Sequence, residues 1–138
     1  MSNPSNERIR EILASARTIA VVGYSKNPAR PSHWIAKYLK AQGYRVIPVN
    51  PGIESALGET CYRTLADVPD DVDLVDVFRS PEHVPEIVEH AIAKKARVLW
   101  LQEGAENWEA AARAREAGLE AIVGRCIFRD HAALAAGR

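Results

Sequence analysis

The chain has 138 residues, enough for one domain that buries its own core without disulfide or metal staples. Apolar residues make up 47% and charged residues 26%, the balance of a globular protein and not of a disordered one. Its 18 basic and 18 acidic residues cancel to a net charge of zero, which disfavours general nucleic-acid binding, a function that draws on a basic excess.

Ser5 is placed to cap a first helix, on which Ile9, Ile12, Leu13 and Ala16 form one apolar stripe at helical spacing. The opening Met1-Ser2-Asn3-Pro4 has no apolar core of a signal peptide and no apolar run reaches spanning length, so a cytoplasmic protein without membrane contact is expected. Thr18 to Gly23 is a short run of continuous apolarity, the pattern of a strand buried on both faces of a parallel sheet. Pro31 opens a second helix with Ile35, Tyr38, Leu39 and Gln42 on one side, and Gly43 ends it.

The alternation then repeats. Tyr44 to Val49 is the second strand, stopped by Asn50-Pro51-Gly52. Ile53 to Asp71 is looser, with one helical turn near Thr64 to Val68, and Val72 to Phe78 is the third strand. The next helix opens at Ser80-Pro81 or at Pro85 and buries Val84, Ile87, Val88, Ala91 and Ile92. Arg97 to Leu101 is the fourth strand, Asn107 caps an alanine-rich helix that ends at Gly118, Leu119 to Val123 is the fifth strand, and Phe128 to Ala136 is a short terminal helix.

Five short strands alternating with helices predict a single α/β domain over residues 1–138. The expected architecture is a Rossmann-like, doubly wound parallel five-stranded sheet with helices on both faces and strand order 3-2-1-4-5. Such sheets bind ligands at the carboxyl ends of their strands. The segments to weigh are therefore Gly23 to Ser32, Asn50 to Gly52, Phe78 to Pro81, Gln102 to Gly104 and Gly124 to Cys126.

The first of these is the most informative. Gly23 turns the chain off its strand, and the free N–H groups of the following helix suit a phosphate. Tyr24, Ser25, Lys26, Arg30, Pro31 and Ser32 surround that turn, with hydroxyl donors on the serines and charge on Lys26 and Arg30. A G-x-G-x-x-G fingerprint would need glycine where Ser25 and Pro28 stand, so a solvated loop with two incidental cations is the competing reading. NAD-binding domains place an acid at the end of the second strand; here Asn50 is uncharged, which admits a ribose phosphate as in NADP or coenzyme A. Arg79 adds a third cation after the third strand, and Asp76 within that strand needs a hydrogen-bond partner if buried.

In order along the chain stand Val22-Gly23-Tyr24-Ser25 with Arg30-Pro31-Ser32, Ile47-Pro48-Val49-Asn50-Pro51, Val75-Asp76-Val77-Phe78-Arg79, Val84-Pro85-Glu86-Ile87-Val88, Trp100-Leu101-Gln102 and Arg125-Cys126. Together they resemble the small bacterial and archaeal CoA-binding proteins, whose fold is similar to the N-terminal domain of the succinyl-CoA synthetase α subunit. The resemblance implies CoA, or an acyl-CoA, lying across the strand ends. The Ser25 to Arg30 loop would take pyrophosphate or ribose phosphate, and Asn50-Pro51 with Phe78-Arg79-Ser80 would flank the nucleotide. Gln102 and Cys126 are further candidate contacts of the cofactor, Cys126 standing after the fifth strand, on the path of the pantetheine arm.

Gly124 and Ile127 depart from the acid and the proline that the family often carries around its Arg-Cys pair. The synthetase's phosphohistidine-bearing domain lies outside the resemblance, which therefore implies CoA binding and no ligase activity. His33, His83, His90 and His131 form no serine–histidine–acid set, and Cys61 and Cys126 have no metal-ligand or disulfide spacing, so neither a catalytic nor a metal residue is assigned. Cys126 is the thiol to watch, because Arg125 and Arg129 beside it would favour its thiolate. The reading is a non-catalytic CoA or acyl-CoA binding module. The alternatives are an NADP-dependent enzyme and a CoA-binding subunit that completes its site with a protein partner.

Overall fold

A computed structural model describes residues 2–137. In chain order the elements are α1 (Asn6–Ser15), β1 (Thr18–Val22), α2 (Pro31–Ala41), β2 (Arg45–Val49), β3 (Ser55–Ala56), β4 (Glu59–Thr60), β5 (Leu74–Val77), α3 (Val84–Ala93), β6 (Val98–Leu101), α4 (Trp108–Glu116), β7 (Glu120–Val123) and α5 (Ile127–Ala135). The helix starts follow local chemistry. The Ser5 side chain accepts from the Arg8 N–H to cap α1, and the Asn107 side chain accepts from the Ala110 N–H to cap α4. Pro31 stands at the start of α2, where its missing N–H costs nothing. The Ser80-Pro81 start is a 3₁₀ turn over Pro81–His83 that runs directly into α3.

The five long strands form one parallel sheet in the order β2-β1-β5-β6-β7. Strand residues alternate between two cores. Ile19, Val21, Leu74, Val98, Trp100 and Ile122 face α1, α2 and α5, whereas Ala20, Ile47, Val75, Leu99 and Ala121 face α3 and α4. Each fully buried Ile, Leu or Val contributes about 1.5–3 kcal/mol relative to exposure. The fold is a Rossmann-like three-layer α/β sandwich, as expected.

The strand order departs from the expectation. Numbering the five long strands in sequence, it is 2-1-3-4-5 and not 3-2-1-4-5, because β5 pairs with β1 and β6. The reason lies in burial. All four residues of β5 have no solvent exposure at all, a condition met by an interior strand hydrogen-bonded on both edges and not by a strand at the rim. The place beyond β2 is taken by a stub from the segment read as loose. Tyr62 makes an isolated parallel bridge with Val49, its N–H donates to the Pro48 carbonyl at 3.2 Å, and its carbonyl accepts from the Asn50 N–H at 2.9 Å. Just before it, β3 and β4 form a small hairpin turned by Leu57 and Gly58, both with positive φ. The helical turn expected near Thr64 is a 3₁₀ turn over Leu65–Asp67.

Asp76 also departs from expectation. Its side chain shares a sheet face with Leu74, beside its register neighbours Val21 and Trp100, and neither carboxyl oxygen has a hydrogen-bond partner. Burial without a donor pushes its pKa well above the carboxylate range, which favours the neutral acid.

Candidate functional site

The chain runs from β1 through α2 out to β2, and later from β5 through α3 to β6 on the other side. The crevice between the carboxyl ends of β1 and β5 is therefore the topological switch point. Gly23 makes the crevice possible. Its φ is +89°, and a Cβ there would stand 2.6 Å from the Phe78 carbonyl oxygen. The two loops thus approach backbone to backbone, closer than any side chain allows.

Beyond Gly23 the loop is braced internally. The Asn27 N–H donates to Ser25 Oγ at 3.1 Å, and the Ala29 N–H donates to Asn27 Oδ1 at 3.0 Å. His33 Nδ1 lies 2.9 Å from the Ser25 carbonyl, which can only accept, so the proton is on Nδ1. Asn50 is a strut. Its Nδ2 donates to the Tyr24 carbonyl at 2.8 Å while its Oδ1 accepts from the Gly52 N–H at 2.8 Å. An aspartate there would lose the first of these bonds. Tyr24 is buried behind the loop, and burial raises its phenol pKa.

A cavity of about 950 Å³ opens over the crevice, at the upper end of the size range for small-molecule sites. Of the residues singled out from the sequence, Gly23, Tyr24, Ser25, Arg30, Pro31, Ser32, Asn50, Pro51, Phe78, Arg79, Gln102 and Cys126 line it. Lys26 and Ser80 do not. Lys26 is exposed on the outer loop, and Ser80 precedes the 3₁₀ turn that starts the next helix. The lining also includes Glu103, inside one of the segments weighed from the sequence, Arg129, read there only as a neighbour of Cys126, and Trp34, Ile35 and Phe128, which the sequence reading did not place at the site. Trp34 and Phe128 meet edge to face at 5.1 Å and make an aromatic outer wall. The available signal was Trp34, a large aromatic residue three positions after Pro31 in the first turn of the helix.

Two helix N-termini converge on this cavity. Neither α2 nor α5 has a side-chain cap at its start, so both present positive dipole ends. One orphan donor is satisfied: buried Gln102 accepts from the Ile127 N–H through Oε1 at 3.1 Å. Trp100 fixes the approach to α5, its indole N–H donating to the Arg125 carbonyl at 2.8 Å.

Among the described residues, Arg30 and Arg79 have no carboxylate within salt-bridge distance, whereas Arg125 is paired with Asp130 at 2.6 Å and Arg129 with Glu103. The charges expected to act on Cys126 are thus already neutralised by carboxylates of their own, which corrects that part of the sequence reading. Cys126 is half-buried at the start of α5, while Cys61 is buried, and burial raises the Cys61 thiol. Among the described residues no helix is long and apolar enough to cross a membrane.

Comparison with known proteins agrees with this geometry. The model of a family described as CoA binding domain matches residues 17–132. The chain is 41% identical over 132 residues to the uncharacterized protein YneT of Bacillus subtilis (strain 168), covering 96% of this chain and 98% of that one. It is 31% identical over 80 residues to the ADP-forming acetate–CoA ligase II of Archaeoglobus fulgidus, 56% of this chain but 12% of the ligase. Among solved structures, a hypothetical protein from Pyrococcus horikoshii OT3 superposes with a TM-score of 0.92 at 44% identity, covering 96% of this chain and 93% of that one. The fold, the crevice and the family match over most of the length agree: the chain belongs to the CoA binding domain family.

Proposed function

We propose that this protein binds coenzyme A or an acyl-CoA in the crevice cavity, as a binding module without chemistry of its own. The observation that carries the reading is electrostatic. A nucleotide-sized cavity receives two helix N-termini and the guanidiniums of Arg30 and Arg79, which have no ion-pair partner among the described residues, and the end of β2 contributes a neutral Asn50. Phosphates are the ligands that such an arrangement favours.

In this reading the start of α2 with Ser25, Ser32 and Arg30 holds the diphosphate. Asn50, Pro51, Phe78 and Arg79 flank the nucleoside, and the pantetheine arm runs past Gln102 toward Cys126 and the Trp34–Phe128 wall. The absence of an assigned reaction rests on how the polar groups are engaged. His33 braces the loop through Nδ1, and Glu103, the carboxylate lining the cavity, is paired with Arg129. A second reading, in which the chain supplies the CoA site of a larger assembly, draws on its match to a small part of an acetate–CoA ligase.

Trp34 lines the cavity and is 40% exposed, so its emission reports occupancy. Separate titrations with CoA and NADPH should quench or shift that emission with CoA alone. Saturable NADPH binding with no response to CoA would overturn the proposal in favour of a dinucleotide site.

A further inference from the structure

A second, smaller cleft lies on the other side of the Gly23 turn. It has a volume of about 80 Å³, roughly the share of two or three waters, which suits a phosphoryl group and excludes a base or a sugar. Gly23, Pro51 and Arg79 line both cavities and form the edge they share. The rest of the polar lining is Arg63, Thr64, His83, Glu86 and His90.

Three features make this cleft anion-seeking. Among the described residues, neither Arg63 nor Arg79 has a carboxylate within salt-bridge distance. Arg63 is held across the cleft by Nη1 lying 3.4 Å from the Pro51 carbonyl, and Arg79 packs against Gly23, with its Cδ 3.0 Å from where a Cβ would stand. His83, Glu86, Ile87 and His90 fall at i, i+3, i+4 and i+7, so one stripe of α3 and the 3₁₀ turn leading into it faces the cleft and brings two imidazoles to it. The single opposing carboxylate, Glu86, is 77% exposed and sits 3.9 Å from His90 Nε2.

Coenzyme A carries two separated anionic groups, a diphosphate and a 3′-phosphomonoester on the same ribose. The protein presents two separated cationic sites that meet at Gly23, Pro51 and Arg79. We propose that the small cleft is a 3′-phosphate subsite, with Arg63 and Arg79 as its charged ligands, and that it makes the protein select CoA over 3′-dephospho-CoA. This rests on the CoA reading of the main cavity and adds a specificity element to it.

The test is calorimetric titration of wild type and Arg63→Gln with CoA and with 3′-dephospho-CoA. Arg63 is exposed, so the variant should fold, and circular dichroism checks that it does. Wild type should prefer CoA by about tenfold or more, the worth of a charge-assisted hydrogen bond. Arg63→Gln should shrink that preference by weakening CoA while leaving 3′-dephospho-CoA unchanged. Equal affinities in wild type, or equal weakening of both ligands in the variant, overturn the subsite while leaving the CoA reading intact. Failure of both ligands to bind wild type overturns both proposals. If the cleft serves free phosphate instead, inorganic phosphate will bind alongside CoA without competing, and that result also rejects the 3′-phosphate assignment.

Discussion

The two ends of the sheet treat charge in opposite ways. At the amino ends of the strands, three arginines are matched by carboxylates within the protein. Arg97 pairs with Asp73 at 3.1 Å, Arg45 with Glu59 at 3.0 Å and with Asp70, and Arg8 with Glu120 and Glu11. Asp73 also accepts from the Arg17 and Thr18 N–H groups at 2.9 and 3.0 Å, tying the entry of β1 to that of β5. At the carboxyl ends, near β1, β2 and β5, Arg30, Arg63 and Arg79 have no such partner among the described residues, and the N-termini of α2 and α5 add to the same sign. Carboxylates reappear beside Arg125 and Arg129, at the β6–β7 side. A chain of zero net charge thus leaves, among the described residues, three arginines without an ion-pair partner at one edge. Self-contained pairing favours stability; charge left open favours a ligand that supplies the missing anions.

Substitutions can break that division. Gly23→Ala should have the largest effect, because it combines a left-handed backbone with a Cβ 2.6 Å from a carbonyl oxygen. We expect a loss of about 3 kcal/mol of stability or more, measured by urea unfolding, together with loss of CoA binding. Asp73→Ala should cost about 2 kcal/mol by orphaning two backbone N–H groups and Arg97, and it should leave CoA affinity unchanged. A matching loss of affinity would erase the contrast between the ends.

Asp73 and Asp76 sharpen the contrast through pH. Burial alone would raise the Asp73 pKa, but the Thr18 and Arg17 N–H groups and Arg97 outweigh it and hold it below the usual value. Its contribution is present above the unfolded pKa of about 3.9 and is lost as pH falls through the folded value. Asp76 has the opposite sign. Its raised pKa costs nothing below about 3.9, where folded and unfolded states both carry the proton, and stability falls as pH rises from there toward the folded pKa. Denaturation of Asp76→Asn against wild type should therefore show an advantage for the variant that grows from pH 4 upward. The deficit of Asp73→Ala should shrink as pH drops toward 3. A pH-independent difference in either case contradicts the assigned protonation.

The smaller effects concern binding. Arg30→Ala, which removes a cavity-lining cation, should weaken CoA by about 1–2 kcal/mol with stability within about 0.5 kcal/mol of wild type. Lys26→Ala should weaken it by less than Arg30→Ala, since Lys26 stands outside the cavity wall. Equal effects would mean that the loop closes further on the ligand than its free form indicates.

Much of this was legible from residues. Continuous apolarity at Thr18 to Val22 marked a buried parallel strand, and Pro31 and Gly43 bracketed a helix. The strand-end rule then pointed to most of the cavity lining. What escaped had no local signal. The stub at Tyr62 is held by two backbone hydrogen bonds to Pro48 and Asn50, which are independent of side-chain pattern. Phe128 and Trp34 come from helices distant in sequence and meet only when α2 and α5 pack on the same sheet face.

By itself the sequence determined the elements, their alternation and the edge at which the cavity opens, because these follow from local periodicity, capping and the right-handedness of crossovers. Tertiary structure decided the strand order, since placing β5 beside β1 depends on burying both its faces and edges, a property of the assembled sheet. It also decided which charges are available. Arg125 and Arg79 are alike as residues, and only packing gives the first an aspartate and leaves the second open toward two cavities.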